Sequence, residues 1–196
     1  MGLCGDRKGA GKAAKAKPNT PVASTTVPCP EPPRTYGKAI KIEGDAAFRR
    51  KTIKALDDIK KTPTGKKLLA SLDRSGKTVT IRQASGSQGN SATPADQAKG
   101  QPDNKLKPGE GTDTTVRFNP DKAVIGDGSK PWMTRPPAVG LAHELVHADH
   151  NARGTNLFDD TGEEMAVGLY PYDTNDFTEN KIRAEWKPKQ PKRTEY

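Results

Sequence analysis

The sequence predicts a single small α+β domain, with a short β-sheet packed by a helix that carries metal-ligand side chains. Three observations point there. Helical and strand periodicities are mixed without a strict alternation. The 19 glycines and 17 prolines crowd into the first 36 residues and into 85–137, which leaves compact periodic segments between them. One helix-period segment contains His143-Glu144-Leu145-Val146-His147, two of the three histidines in the chain.

Composition limits the size of that domain. Of 196 residues only 31% are hydrophobic and 5% aromatic, too little apolar material to fold the whole length compactly. Residues 1–38 read as a disordered leader rich in Gly, Pro and Lys, because Pro28, Pro30, Pro32 and Pro33 forbid regular structure. The catalytic-type domain is then expected over 39–187, with a basic tail at 188–196. Cys4 and Cys29 both lie in the leader and make no disulfide framework. No stretch is long and apolar enough to span a membrane, and the N-terminus lacks the apolar segment of a Sec signal.

The elements follow in order. Residues 45–61 read as a helix, with Asp45 as cap and Phe48, Ile53, Leu56 and Ile59 on one face. A second helix is expected over 64–72, turning Leu68, Leu69 and Leu72 inward, with Gly76 ending the unit. Residues 77–82 alternate polar and apolar as a half-buried strand does. Residues 85–112 contain almost no apolar side chain and read as one long polar loop. Residues 114–118 form a second strand, closed by Asn119-Pro120. With Thr115 and Arg117 on one face and Val116 on the other, this strand is a candidate edge for pairing an extended substrate, or else an interior strand. Pro136-Pro137 starts a helix reaching about Asn151, near the stop signal Gly154. Short helices are expected over 163–169 and 178–186.

The histidine motif carries the chemistry. At 3.6 residues per turn, His143 and His147 lie about 40° apart and one turn along the helix. Both imidazoles can reach one ion, and neutral imidazole nitrogen suits Zn²⁺. Glu144 adjoins His143 and can take a proton from a water that the ion activates. The neighbours Val139, Leu141, Leu145 and Val146 are apolar, so the helix is at least partly buried, and buried His and Glu need partners. The competing reading is a surface helix with a coincidental pattern.

A third protein ligand is required, with the fourth position open. Glu163 is preferred, because it sets Val167 at i+4 on the core side of its helix; Glu164 is the alternative. Asp159-Asp160 and Asp173 remain open, and His150 would have to reach back past His147. An acidic first helical turn would equally complement the helix dipole, so one of the two glutamates is expected to ligate and the other to cap. Tyr170, Tyr172 and Arg183 are candidates to stabilise a tetrahedral oxyanion, against plain packing roles. Asp149 and Glu179 are candidates to orient the ligand histidines.

The segments TVRFNP from Thr115, RPPAVGLAHELVHA from Arg135, GEEMAVGL from Gly162 and TENKIRAE from Thr178 together resemble the NleD-like effector metallopeptidases. Relatives of that family form the toxic C-terminal tips of Rhs and other polymorphic toxins. The resemblance covers roughly 113–186. It implies a zincin-like domain with one zinc per chain, His143 and His147 as ligands, Glu144 as base, and a carboxylate from the Glu163-Glu164 pair. It further implies a protein substrate in a target cell reached through a bacterial secretion system. Glu179, Asn180 and Arg183 match a Glu-Asn-x-x-Arg segment expected to support the site. Met1-Gly2-Leu3 resembles the end of the junction that closes Rhs shells, which would imply a released toxin and a cognate immunity protein.

Two other functions compete. A zinc hydrolase of another amide bond, such as one in the cell wall, would use the same chemistry. A basic nucleic-acid-binding module with an incidental motif would draw on the net charge of +9. The basic residues are scattered and not interleaved with aromatics, so the charge reads as a solvated surface and no nucleic-acid partner is expected.

Overall fold

The computed structural model describes residues 32–196. The expected disorder of the leader, Cys4, Cys29 and Met1-Gly2-Leu3 lie outside the described residues. The architecture is α+β. Strands β1 (Arg34–Tyr36), β2 (Ile40–Glu43), β3 (Val79–Gln83), β4 (Ser91–Pro94) and β5 (Thr114–Phe118) form one mixed sheet in the order β1-β2-β3-β5-β4. The β2–β3 and β3–β5 pairs are parallel, and the two outer pairs are antiparallel.

Helices α1 (Ala46–Lys60) and α2 (Pro63–Arg74) connect β2 to its parallel neighbour β3. Asp45 caps α1 by accepting from Phe48 N, as the sequence predicts. Thr62 caps α2 through Gly65 N, with Pro63 in its first turn, so α2 begins and ends slightly beyond the expected 64–72. Register lines Ile42, Ile81, Val116 and Ala92 in one row across four strands. This row meets Leu56, Ile59, Leu68 and Leu72 of the first two helices in a single core. Full burial of each such side chain contributes on the order of 1.5–3 kcal/mol.

The central element is α4 (Pro137–Arg153). Fourteen of its 17 residues are buried, which excludes a surface helix. It packs on β4 and β5 and against α1, α2 and α6 (Glu179–Glu185). Gly154 ends it at φ 68° in the left-handed region, where a Cβ would also meet the Gly109 backbone at 2.3 Å. Among the described residues no helix is long and apolar enough to cross a membrane.

Two expectations need correction, and two open points are settled by the fold. The stretch 85–112 is not one loop, for it contains β4 and the short helix α3 (Gln97–Gly100). Strand β4 has no apolar alternation to reveal it; main-chain pairing with β5 holds it in the sheet. Strand β5 is therefore interior, and β4 is the edge beside the metal-type helix. The leader ends earlier than residue 38, because β1 pairs with β2 through the turn at Gly37, braced where Asp73 accepts from Lys38 N and Ala39 N. Its polar Arg-Thr-Tyr sequence just after prolines gave no strand signal. Finally, the basic, irregular segment 188–196 is held against the domain. Asn180 Nδ2 donates to Arg193 O at 2.9 Å, and Arg193 N donates to Asn180 Oδ1 at 2.8 Å.

Candidate metal centre and its cleft

Helix α4 turns His143 and His147 to the same side, and α5 (Asp160–Val167) brings Glu163 across from them. His143 Nε2 lies 3.1 Å from Glu163 Oε2, and His147 Nε2 lies 3.2 Å from that oxygen. The two Nε2 atoms are 3.2 Å apart. This near-equilateral triangle can be tested against an ion. Tetrahedral bonds of roughly 2.0–2.1 Å place neighbouring ligand atoms about 3.3 Å apart, so the triangle matches one face of such a coordination shell. Two imidazole nitrogens and one carboxylate oxygen are also donors that zinc accepts, and all three residues line the cleft.

Helix α5 starts earlier than the expected 163–169 because Asp159, not a glutamate, caps it, accepting from Gly162 N. Among the described residues, His143, His147 and Glu163 are the group whose ligand atoms converge. Glu164, Asp159, Asp160, Asp173 and His150 are outside it. Asp159 and Asp160 line the cleft rim instead.

The electrostatics are tightly interlocked. Burial disfavours a charged His143, yet the flanking Glu163 and Glu179 carboxylates outweigh it and raise its pKa to about 9. Burial likewise works against an ionised Glu163, but His143 and His147 hold its carboxyl far below the ordinary range. Burial pushes the Glu144 carboxyl up, against the pull of His143 and His147.

Behind the triangle sits Glu179, fully buried. Its Oε2 lies 3.0 Å from His143 Nδ1. Its Oε1 accepts from Arg183 Nε at 2.7 Å and from Arg135 Nη1 at 2.9 Å, while Arg193 Nη1 reaches Oε2 at 3.3 Å. Burial opposes this charge, but His143 and the arginines keep the carboxyl well below its ordinary pKa.

Arg183, the two tyrosines and Asp149 lie away from the cleft, although Arg183 holds Glu179 behind the site. Arg183 is fully buried and donates to Glu179, Pro191 O and Trp132 O, so it faces the scaffold and does not line the cleft. Tyr170 is 88% exposed and, like Tyr172, lies off the cleft. Asp149 faces the other way, accepting from Ser71 Oγ at 2.6 Å and pairing with Arg153.

The residues that sequence reasoning missed are Arg135, Arg193 and Tyr196. All three line a cleft of about 680 Å³ together with His143, Glu144, His147 and Glu163. Arg193 stacks over Trp132 at 5.2 Å and over Tyr196 at 5.1 Å, which seats Tyr196 beside Glu163. Burial and the Glu163 carboxylate raise the Tyr196 pKa, so its hydroxyl keeps its proton at neutral pH. Arg193 and Tyr196 follow the last proline of a basic, irregular segment, and no local pattern would have separated Arg193 from the lysines around it.

A buried helix bearing this His-Glu-x-x-His run within an α+β domain defines a peptidase of the metal-dependent class. The chain belongs to the Peptidase_M91 family, described as effector proteins, which it matches over residues 36–196. This is the NleD-like family that the sequence segments resemble. Among solved structures, the chain is similar to the light chain of Clostridium botulinum neurotoxin serotype F, at 18% identity and a TM-score of 0.43. That alignment covers 55% of this chain and 35% of the other. It is also similar to the catalytic domain of C. botulinum neurotoxin serotype F, at 18% identity and a TM-score of 0.45, covering 83% of this chain and 57% of that one. The chain thus spans from about a third to just over half of those proteins' lengths. A search of curated proteins gives no match.

Proposed function

We propose that the protein is a zinc-dependent endopeptidase effector, in which His143, His147 and Glu163 hold one zinc ion and Glu144 is the general base. The observation that carries this reading is the 3.1–3.2 Å triangle of ligand atoms beside a buried carboxylate on the same helix. Zinc at such a site supplies Lewis acidity, activating water and polarising the scissile carbonyl.

The chain's own groups do the rest. Glu144, made more basic by burial, takes the proton of the attacking water. The water oxygen bonds to the carbonyl carbon, the C–N bond breaks, and Glu144 returns the proton to the departing amine. Tyr196, protonated at neutral pH, is placed to donate to the oxyanion, with Arg193 beside it adding positive charge. These two are assigned the role that the sequence considered for Tyr170, Tyr172 and Arg183. The free edge of β4 runs along the cleft through Ser91 and Ala92, where an extended peptide adds main-chain hydrogen bonds. Membership in an effector family supports a protein substrate inside a target cell, reached by a secretion system. A cognate immunity protein is part of the proposal if the recipient is a rival bacterium.

The test measures bound metal per chain by elemental analysis, and cleavage of a mixed protein substrate against purified cell wall. Wild type should carry about one zinc, His147→Ala little, and Glu144→Gln should keep the metal while losing cleavage. Undiminished proteolysis by Glu144→Gln would refute the assigned base. Cleavage of cell wall alone would refute the protein substrate.

A further inference from the structure

Among the described residues, five large hydrophobic side chains are exposed, and three of them, Val124, Phe158 and Tyr196, line the one cleft that holds the His143–His147–Glu163 group. Exposed apolar surface gathered at one place marks a binding site, because scattered residues would show no such focus. Ile125 and Leu157 extend the same two walls.

Both walls are built in advance. On one side, Ile125 N donates to Met133 O and Arg135 N donates to Ala123 O, each at 2.8 Å, and Val124 bridges to Thr134 as an isolated antiparallel pair. This fixes Val124 at the rim, 44% exposed. On the other side, Asn156 N donates to Gly100 O at 3.0 Å, and Asn156 Nδ2 donates to Asn151 Oδ1 at 2.8 Å. The tip of the Phe158 ring packs near Gly100, 3.6 Å from where a Cβ on that residue would stand, an ordinary van der Waals distance. Phe158 lines the cleft and stays 40% exposed. The Val124–Ile125 segment is thus held by main-chain bonds, and the Leu157–Phe158 segment follows an anchored Asn156.

We infer that the enzyme selects peptide bonds flanked by a bulky apolar side chain, which packs between Phe158 with Leu157 on one wall and Val124 with Ile125 on the other. The inference rests on the peptidase reading above and adds the chemical class of the substrate segment. The polar floor of the cleft engages the scissile amide, while the walls read the neighbouring side chain, so Phe158 and Val124 set specificity without taking part in bond cleavage.

The experiment is cleavage profiling of a randomised peptide library by mass spectrometry, with zinc-loaded wild type, Phe158→Ala, Val124→Ala and Glu144→Gln, each checked for metal content and circular dichroism. Both wall residues are exposed, so their truncation leaves the fold and the zinc in place. Wild type should enrich Leu, Ile, Met or Phe next to the cut. Phe158→Ala should lower kcat/KM on those peptides by about tenfold and leave peptides with Ala at that position nearly unchanged. Glu144-dependent cleavage with no apolar enrichment, or a profile that neither wall variant alters, overturns the inference and leaves the peptidase standing. A zinc-loaded wild type that makes no Glu144-dependent cut in the library overturns both.

Discussion

Replacing Glu179 with Gln removes one negative charge from the most heavily charged buried point of the protein and changes almost nothing in shape. The carboxylate is fully buried, with Arg183 at 2.7 Å, Arg135 at 2.9 Å, His143 at 3.0 Å and Arg193 at 3.3 Å. A surface ion pair is worth about 0–1 kcal/mol, and its loss would scarcely register. Here the three arginines lose their common counter-charge, two of them with little access to water, and breaking a buried pair in this way costs about 3–5 kcal/mol. For a folded domain of this size that is a fall in Tm of roughly 10 °C. The His143 ring also loses the group that fixes its orientation, which lowers metal affinity by about 10–100-fold. Denaturant unfolding of the metal-free protein measures the first effect, and competition with a chromophoric zinc chelator measures the second. A loss below about 1 kcal/mol together with unchanged zinc affinity would show that Glu179 is a spectator and that its distances to the arginines carry no energy.

Three further expectations follow from individual contacts. Asn180→Ala removes both hydrogen bonds to the Arg193 backbone, so kcat should fall at least tenfold while zinc content holds. Tyr196→Phe added to that variant should then cost little more, and full additivity of the two would sever the link between the clamp and Tyr196. Burial, helped by His147, Arg153 and His143, lowers the His150 pKa from 6.5 to about 4, so between these values the unfolded chain binds a proton that the folded chain does not. This share of stability is complete above pH 6.5 and lost as pH falls to about 4. Removing it with His150→Gln should flatten the metal-free stability profile in that window by roughly 3 kcal/mol, and parallel profiles for variant and wild type would refute the assignment. At Gly162 a Cβ would stand 1.7 Å from Leu157 O, so Gly162→Ala must shift the start of α5 and with it Glu163. The variant should lose zinc binding in elemental analysis, and retention of one zinc per chain would argue against Glu163 as a ligand.

Local rules worked where a feature repeats along the chain. Asp45 ahead of the Phe48, Leu56 and Ile59 face was enough to define α1, and alternation in Val79-Thr80-Ile81 was enough for β3. The spacing of His143 and His147 fixed the shared side of their helix before any fold was known. The preference for Glu163 over Glu164 rested on the facing of Val167, and Val167 is indeed fully buried. Where main-chain pairing or a single distant contact decides, the same rules were blind. Strand β4 owes its place to β5, and β1 to β2.

By itself, then, the sequence determined the α+β class and a helix with two histidines on one side, because helical period and side-chain chemistry are local properties. The tertiary structure alone decided which distant groups complete the cleft. Arg193 reaches Glu179 because Asn180 holds its backbone, and Tyr196 follows because its ring stacks on that guanidinium. Those contacts depend on where the chain returns in space after α6, and that return is set by burial and hydrogen-bond closure across the whole core, which no spacing along the sequence encodes.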